Sequence, residues 1–303
     1  MVNRPLMPAQ AQPTVSAIVT AYNSAGTVVR AAESVLAQTM SDLELIVVDD
    51  ASTDNTAELI DAIYDSRIRL IRNERNRGIG GAKNVGVAAA RGRYIAFLDS
   101  DDTWEPSKLD IQLARLRPRE AQSPLSFTGF WVHRDGGDRT VLRQPRKRGT
   151  WLETILTGET FSLGSTLLAT ASCFARVGPF EESLRRLQDR DWTLRYLRLW
   201  DEFVFVPEPL SRIHNSGWPK AEMVASAVDD LYRAHHEPLT SRNPALASLF
   251  RNSLDFEVAV SEYRTGRRAS ALRRVIQIAA ANPSFTGYLA YRACRKLVQR
   301  DLA

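Results

Sequence analysis

Four short runs of aliphatic and β-branched residues, each stopping at a polar or acidic cluster, constrain this chain more than any other feature. Residues 15–20 end at Tyr22-Asn23, residues 43–48 at Asp49-Asp50, and residues 94–98 at Asp99-Ser100-Asp101-Asp102, with a weaker run at 68–71 between the second and the last. Helix-length stretches separate them, at about 25–37, from a cap at Ser52 or Thr53 to about 64, and at 80–91. Strands alternating with helices of this length specify an α/β fold, a doubly wound and mostly parallel sheet flanked by helices. Right-handed crossovers bring every strand's carboxyl end to one edge, where such sheets bind ligands. The three polar clusters therefore share one crevice.

The acidic cluster after the fourth strand is the most informative. Asp99, Asp101 and Asp102 crowd negative charge at the end of a buried strand, which raises their pKa values unless a cation is present. A hard divalent ion held by one or two carboxylates and by substrate phosphates resolves the conflict. Mg²⁺ or Mn²⁺ there offsets the charge of a departing nucleoside diphosphate.

Beyond Trp104 the pattern is mixed. It predicts a helix at about 106–117, strands at 126–132 and 139–143, a short helix at 150–157, a strand at 163–168, a loop at 180–187 and a helix at 191–200. Strands at 203–206 and 210–213 follow, and from about Lys220 the chain is helical, with Pro238, Pro244 and Pro283 marking breaks. Residues 258–282, turning at Tyr263 and Gly266, have the look of one tetratricopeptide-style helix pair. The organisation expected is a flexible leader at 1–13, an α/β domain at 14–218 with halves at 14–103 and 104–218, and a helical extension at 219–303.

Several segments together resemble the family 2 glycosyltransferases of GT-A fold. They are Val-Thr-Ala-Tyr-Asn (19–23), Val-Val-Asp-Asp-Ala-Ser-Thr-Asp (47–54), Ala-Lys-Asn-Val-Gly (82–86), Phe-Leu-Asp-Ser-Asp-Asp-Thr-Trp (97–104) and Gln-Asp-Arg-Asp-Trp-Thr-Leu-Arg (188–195). The resemblance spans roughly residues 14–215, and the order and spacing of the segments make it specific. It implies an inverting transfer from a nucleotide-sugar donor to an acceptor hydroxyl, in polysaccharide, glycolipid or other glycoconjugate synthesis. It places Tyr22 and Asp50 on the base, Asp99 on the ribose, Thr20, Lys83 and Ser100 among the donor-binding residues, and Asp101 on the metal. His214, in Ser-Arg-Ile-His-Asn, falls where the family often has a histidine near diphosphate or metal.

The general base is assigned to Asp189, with Asp191 two residues on as the other candidate. Matching Arg195 to the family's arginine favours Asp189. Gln188 stands where the family commonly has Glu, and the base assignment does not depend on it. An ordinary aspartate is a weak base at pKa 3.9, so burial or a neighbouring carboxylate has to raise it, and Asp191 is a candidate neighbour.

Simpler readings exist for each cluster: a helix cap at 49–54, a solvated turn at 99–102, a cap at 188–191. Trp131, Trp151, Trp192 and Trp200 read as core, Trp104 as a border of the acceptor cleft, and His133, His235 and His236 as surface. Gly78-Ile-Gly-Gly81 lacks the third glycine of a dinucleotide loop and reads as a turn before a helix. A nucleotidyltransferase would need a glycine-rich basic loop after the first strand, which 20–26 is not. A non-catalytic scaffold does not require the four intact aspartates Asp50, Asp99, Asp101 and Asp189.

Composition excludes more than it assigns. With 44% hydrophobic and 25% charged residues, the 303-residue chain is of globular type, and a net charge of +5 is too small to imply nucleic acid. Two distant cysteines, Cys173 and Cys294, give neither a disulfide framework nor a zinc site, and with no signal peptide or apolar run of 18 residues the expected location is cytoplasmic. The tail places Arg292, Arg295, Lys296 and Arg300 among Tyr288, Leu289, Tyr291, Leu297 and Val298. That pattern suits peripheral binding to the inner face of the membrane, where lipid-linked acceptors sit, and equally a solvated face packed on the catalytic domain. Donor base, sugar, acceptor and oligomeric state are not legible.

Overall fold

The structure, a computed structural model, describes residues 12–134, 140–147, 149–158, 163–215 and 220–281. The first half alternates as expected: β1 (Val15–Ala21), α1 (Val28–Leu36), β2 (Leu43–Asp49), α2 (Thr56–Asp61), β3 (Ile68–Arg72), α3 (Gly78–Ala89) and β4 (Tyr94–Asp99). Then come β5 (Thr103–Trp104), α4 (Lys108–Leu116), β6 (Leu125–Arg134), β7 (Thr140–Arg143), α5 (Trp151–Leu156), α6 (Leu163–Thr166), β8 (Leu168–Thr170), α7 (Ala171–Val177), α8 (Gln188–Tyr196) and β9 (Val204–Asn215). Three helices close the described chain, α9 (Ala221–Arg242), α10 (Pro244–Arg264) and α11 (Arg268–Ala281).

One nine-stranded sheet runs in the order β3-β2-β1-β4-β8-β6-β9-β5, with β7 on β6. The β3-β2-β1-β4 half is parallel, whereas β8 is antiparallel to both β4 and β6. β1 is buried along its whole length. Its side chains alternate between faces with the two-residue strand period: Val15, Ala17 and Val19 join one core with α1 and α4, and Ile18 joins the other. Each such aliphatic side chain, fully buried, stabilises the fold by about 1.5–3 kcal/mol. Gly86 of α3 lies so close to β1 that a Cβ there would stand 2.4 Å from Ile18 Cγ2, so this helix needs glycine to reach the sheet.

At the amino end of the sheet Glu44 is buried and wholly committed. Its carboxylate accepts from Ser16 Oγ at 2.6 Å, from Arg69 at 2.9 Å, and from the backbone and side chain of Arg91 at 2.8 and 3.0 Å. Burial works against the charge, and these donors together still hold the group below the ordinary glutamate range.

Several expectations need correction. Residues 163–168 are not a strand; the short helix α6 occupies 163–166 and the strand β8 begins at Leu168. The two strands expected at 203–206 and 210–213 are one, bent by a register shift against β6 at Gly129 where Pro207 and Pro209 supply no ladder donor. α2 starts at Thr56 after Asn55 rather than at Ser52 or Thr53, because Ser52 is taken by Asp49. Pro238 lies inside α9 and does not end it. Trp104 is buried, its Nε1 donating to Ser165 O at 2.8 Å, and does not border a cleft.

The later helices are not a loosely tethered appendage. Val228, Leu231, Leu239, Phe250, Leu254 and Val258 of α9 and α10 belong to the same core as Ile18, Phe97 and Trp192. Among the described residues no helix is long and apolar enough to cross a membrane. The basic tail at 288–300 and Cys294 lie outside the described residues.

Candidate active site

The carboxyl ends of β1, β2 and β4 carry the three polar clusters to one edge, as parallel strands must. Two of the turns there use left-handed backbone, at Asn23 (φ 49°) and Ala51 (φ 61°). Side chains stitch the turns together. Asn23 Oδ1 accepts from Thr53 N at 2.8 Å, Asn23 N donates to Ser52 Oγ at 2.9 Å, and the hydroxyls of Ser24 and Ser100 meet at 2.7 Å. Thr20 is buried at the end of β1, whereas Tyr22 is 50% exposed, an aromatic face open beside the cluster. Asp50 is buried and accepts from Arg77 N at 2.9 and 3.1 Å and from Asn73 Nδ2 at 2.7 Å. It thus shapes the turn between β3 and α3, so Asp50 acts at least as a bracket for one wall of the crevice.

The charged centre lies between β4, α3 and α8. Lys83 is only 1% exposed, and its Nζ lies 2.7 Å from Asp189 Oδ1 and about equally far from the rings of Phe97 and Phe180, at 5.5 and 5.4 Å. Burial disfavours the ammonium, and the nearby carboxylates of Asp189 and Asp99 outweigh it, so the lysine holds its proton more tightly than usual. Asp99 has the opposite problem. Burial pushes it up to about 6, Lys83 pulls the other way, and the charges of Asp189 and Asp101 add to the rise. Its Oδ1 is buried without a hydrogen-bond partner. The chain reaches it closely from α6: Ser165 Oγ accepts from Asp99 N at 3.1 Å, and a Cβ on Gly164 would stand 2.6 Å from Asp99 Oδ2.

Asp101 is partly exposed, and its backbone carbonyl is held by Arg30 Nη2 at 2.9 Å. Asp102 is buried and faces the other way, accepting from Ser165 Oγ and from His214 N at 2.9 Å. Burial, then Asp99 and Asp101, lift it well above the ordinary range against those two hydrogen bonds. β9 thereby brings His214 alongside the acidic turn, where its ring stacks on His133 at 5.0 Å and 10°.

The donor set fits Mg²⁺ or Mn²⁺. Among the described residues no three His, Cys, Asp or Glu side chains converge to hold a metal unaided. A hard ion of this kind takes one or two carboxylates and completes its shell with phosphate and water. Asp101, partly exposed, and the buried orphaned oxygen of Asp99 could supply such oxygens.

The structure separates the two candidate bases. Residues two apart on a helix point about 200° apart. Asp189 faces Lys83 and Asp99, with 27% of its side chain exposed. Asp191 is turned inward, with Oδ1 accepting from His235 Nε2 at 2.8 Å and Oδ2 from Arg195 at 3.0 and 2.8 Å. Asp191 therefore neither lines the crevice nor acts as Asp189's acidic neighbour; Asp99 takes that place. His235 is 2% exposed, not a surface residue as expected. Sequence reasoning also missed Gly164, Ser165 and Arg30. Only Gly164-Ser165, a glycine and a hydroxyl within an apolar run, left a trace in the sequence.

Fold and site define a GT-A type α/β protein with an acidic, cation-ready crevice at the carboxyl ends of its parallel strands. Residues 16–177, just over half of the chain, match Glycosyl transferase family 2, and the protein belongs to that family. It is 54% identical over 110 residues to the succinoglycan biosynthesis protein ExoO of Rhizobium meliloti (strain 1021), which covers 36% of this chain and 32% of that one. It is 40% identical over 121 residues to the UDP-Glc:alpha-D-GlcNAc-diphosphoundecaprenol beta-1,3-glucosyltransferase WfaP of Escherichia coli, covering 40% of this chain and 47% of that one. The matches thus span about a third to a half of the length of these relatives. In fold, the chain is similar to S. aureus TarS 1–349 in complex with UDP-GlcNAc, with a TM-score of 0.60 at 21% identity over 82% of this chain and 71% of that one. It is also similar to the mannosyltransferase PcManGT of Pyrobaculum calidifontis in complex with GDP-Man and Mn²⁺, with a TM-score of 0.56 at 17% identity over 93% and 85%.

Proposed function

We propose that this chain transfers a sugar from a nucleotide-diphospho-sugar to an acceptor hydroxyl with inversion, in the assembly of a cell-envelope polysaccharide or related glycoconjugate. The observation that carries the reading is the meeting of Asp99, Lys83 and Asp189 at the carboxyl edge of the parallel strands. One side of that meeting point is suited to a diphosphate and the other to an acceptor proton.

Tyr22 offers its exposed ring to the nucleobase, and Asp50 braces the adjoining wall. Asp99, at the end of β4, would contact the ribose, and Thr20 and Ser100 would join it in holding the donor. Asp101 and the free oxygen of Asp99 would hold Mg²⁺ or Mn²⁺, with His214 on the same side. The ion would supply Lewis-acid neutralisation of the diphosphate. Lys83 adds a buried positive charge for the same anion. Asp189 takes the proton from the acceptor hydroxyl as that oxygen attacks the anomeric carbon from the face opposite the leaving diphosphate. Without ligands its carboxylate is paired with Lys83, so an arriving diphosphate that draws on the ammonium frees the base. We infer a lipid-linked saccharide acceptor, of the kind in the name of the Escherichia coli relative, and with it peripheral work at the cytoplasmic face of the membrane.

The test is calorimetric titration of UDP, GDP and dTDP with and without Mn²⁺, repeated on Asp101→Ala. The reading expects Mn²⁺-dependent binding that weakens at least about 10-fold in the variant. Metal-dependent binding that survives the substitution overturns the site.

A further inference from the structure

Three consecutive residues of α8 reach three different parts of the molecule. Asp189 meets Lys83 of α3, while the two residues that follow it are both held by helices that lie outside the sheet. Arg190 Nη1 pairs with Glu257 of α10 at 2.7 Å. Its Nη2 donates to the carbonyls of Ile155 and Leu156, at 2.8 and 3.1 Å, at the end of α5. A cation there suits the negative end of that helix.

Asp191 is gripped from both sides, by Arg195 and by His235 of α9. His235 in turn lies 2.7 Å, through Nδ1, from Arg198 Nη2. A guanidinium has hydrogens to give and no lone pair to offer, so Nδ1 is the acceptor and Nε2 carries the hydrogen directed at Asp191. Burial opposes the charge on Asp191, and the bonds from His235 and Arg195 nevertheless hold the carboxyl below its ordinary range. The network is built around an ionised Asp191.

α8 is nine residues long, opens at Leu187 in left-handed backbone (φ 64°), and has no side-chain cap. Trp192, Leu194 and Tyr196 anchor its later turns in the core, and the bonds of Arg190 and Asp191 hold its first turn, which carries Asp189. A turn of about 20° around a helix axis moves a side-chain tip at ~5–6 Å radius by roughly 2 Å. A displacement of about 1 Å at a reacting group costs about 100-fold in rate.

We propose that His235 and Glu257 are positioning residues for the transfer: by fixing Asp191 and Arg190, the two residues that follow Asp189, they hold the first turn of α8 and so the place of the Asp189 carboxylate. The helices after the sheet are then part of the reacting unit. The proposal rests on Asp189 being the base.

The experiment uses the full chain with His235→Ala, His235→Gln, Glu257→Ala and Asp189→Asn. Hydrolysis of UDP-, GDP- and dTDP-glucose in Mn²⁺, with water in the acceptor's place, gives kcat and KM, and titration of the matching nucleoside diphosphate on the same samples reports the folded donor site. His235→Ala and Glu257→Ala are expected to lower kcat about 10- to 100-fold with KM and nucleotide affinity within about 2-fold of wild type, kcat being counted per nucleotide-binding site from the stoichiometry of the titration so that an unfolded fraction does not enter it. His235→Gln, whose amide gives to Asp191 and whose oxygen takes from Arg198, is expected to recover most of the rate. Wild-type kcat in folded Ala variants, equal losses of binding and rate, or a Gln variant no better than Ala overturns the proposal. If His235→Ala does not fold, Glu257→Ala decides by the same split. Wild-type turnover in Asp189→Asn instead removes the base assignment, whereas a dead Asp189→Asn beside fully active clamp variants removes the clamp alone.

Discussion

Replacing Asp99 by Asn removes a carboxylate that burial works against, and the structure sets the size and direction of the effect. In metal-free protein the group is pushed from an ordinary 3.8 to about 6. The folded state thus binds this proton more tightly than the unfolded chain does. Its stabilising contribution is complete below about pH 4 and is lost as pH rises through about 6. A rise of this size amounts to roughly 3 kcal/mol. Asn carries no such dependence, so Asp99→Asn should match wild type near pH 4 and exceed it by up to about 3 kcal/mol at pH 8. At about 2 °C per kcal/mol for a chain of this size, that is a gain of about 6 °C in Tm. Thermal and urea unfolding of both proteins in EDTA from pH 4 to pH 8 reads it directly. A stability difference that does not change across that range, or wild type the more stable at pH 8, refutes the account of Asp99 as a strained acid awaiting a cation. The same variant should lose Mn²⁺-dependent nucleotide binding, since stability and function trade at this position.

Two further substitutions test how closely the chain approaches the site and the sheet. Gly164→Ala puts a methyl against the Asp99 carboxylate at a nominal 2.6 Å and should weaken nucleoside diphosphate binding at least about 10-fold, read by titration, with a smaller change in Tm. Gly86→Ala drives a Cβ into Ile18 and should destabilise the fold by about 1–3 kcal/mol in urea unfolding. Lys83→Met deletes the ammonium paired with Asp189 and should reduce diphosphate affinity at least about 10-fold, measured by the same titration as Asp101→Ala.

The donor-side half of the molecule was legible because its signals are periodic. β1, β2 and β4 are short apolar runs buried on both faces, and each stops where carboxylates and amides replace them. The second half of the sheet lacks such signals. β8 is three residues long and does not announce itself, and β9, interrupted by two prolines, reads as two short strands instead of one. Within α8 the sequence offered two aspartates, and beyond the match of Arg195 to the family's arginine no periodicity chose between them, because both faces of that helix meet protein. Only the packing partners, Lys83 on one side and His235 on the other, separate them. A single histidine in a long helix carries no periodic mark, which is why His235 read as surface. Gly164 was opaque for a related reason, since its role is the room it leaves for a side chain 65 positions away.

The two ends of the sheet treat negative charge in opposite ways. Glu44 at the amino end is matched by Arg69 and Arg91, so that end is electrically quiet, while among the described residues Asp99 and Asp189 share the ammonium of Lys83 and Asp101 adds a further negative charge. A molecule with a formal charge of +5 therefore turns an anionic mouth toward its ligands. Under the proposed function, a bare nucleotide approaching that mouth would be repelled and a cation-laden one drawn in, so the divalent ion would be a toll on admission as well as a participant in bond breaking.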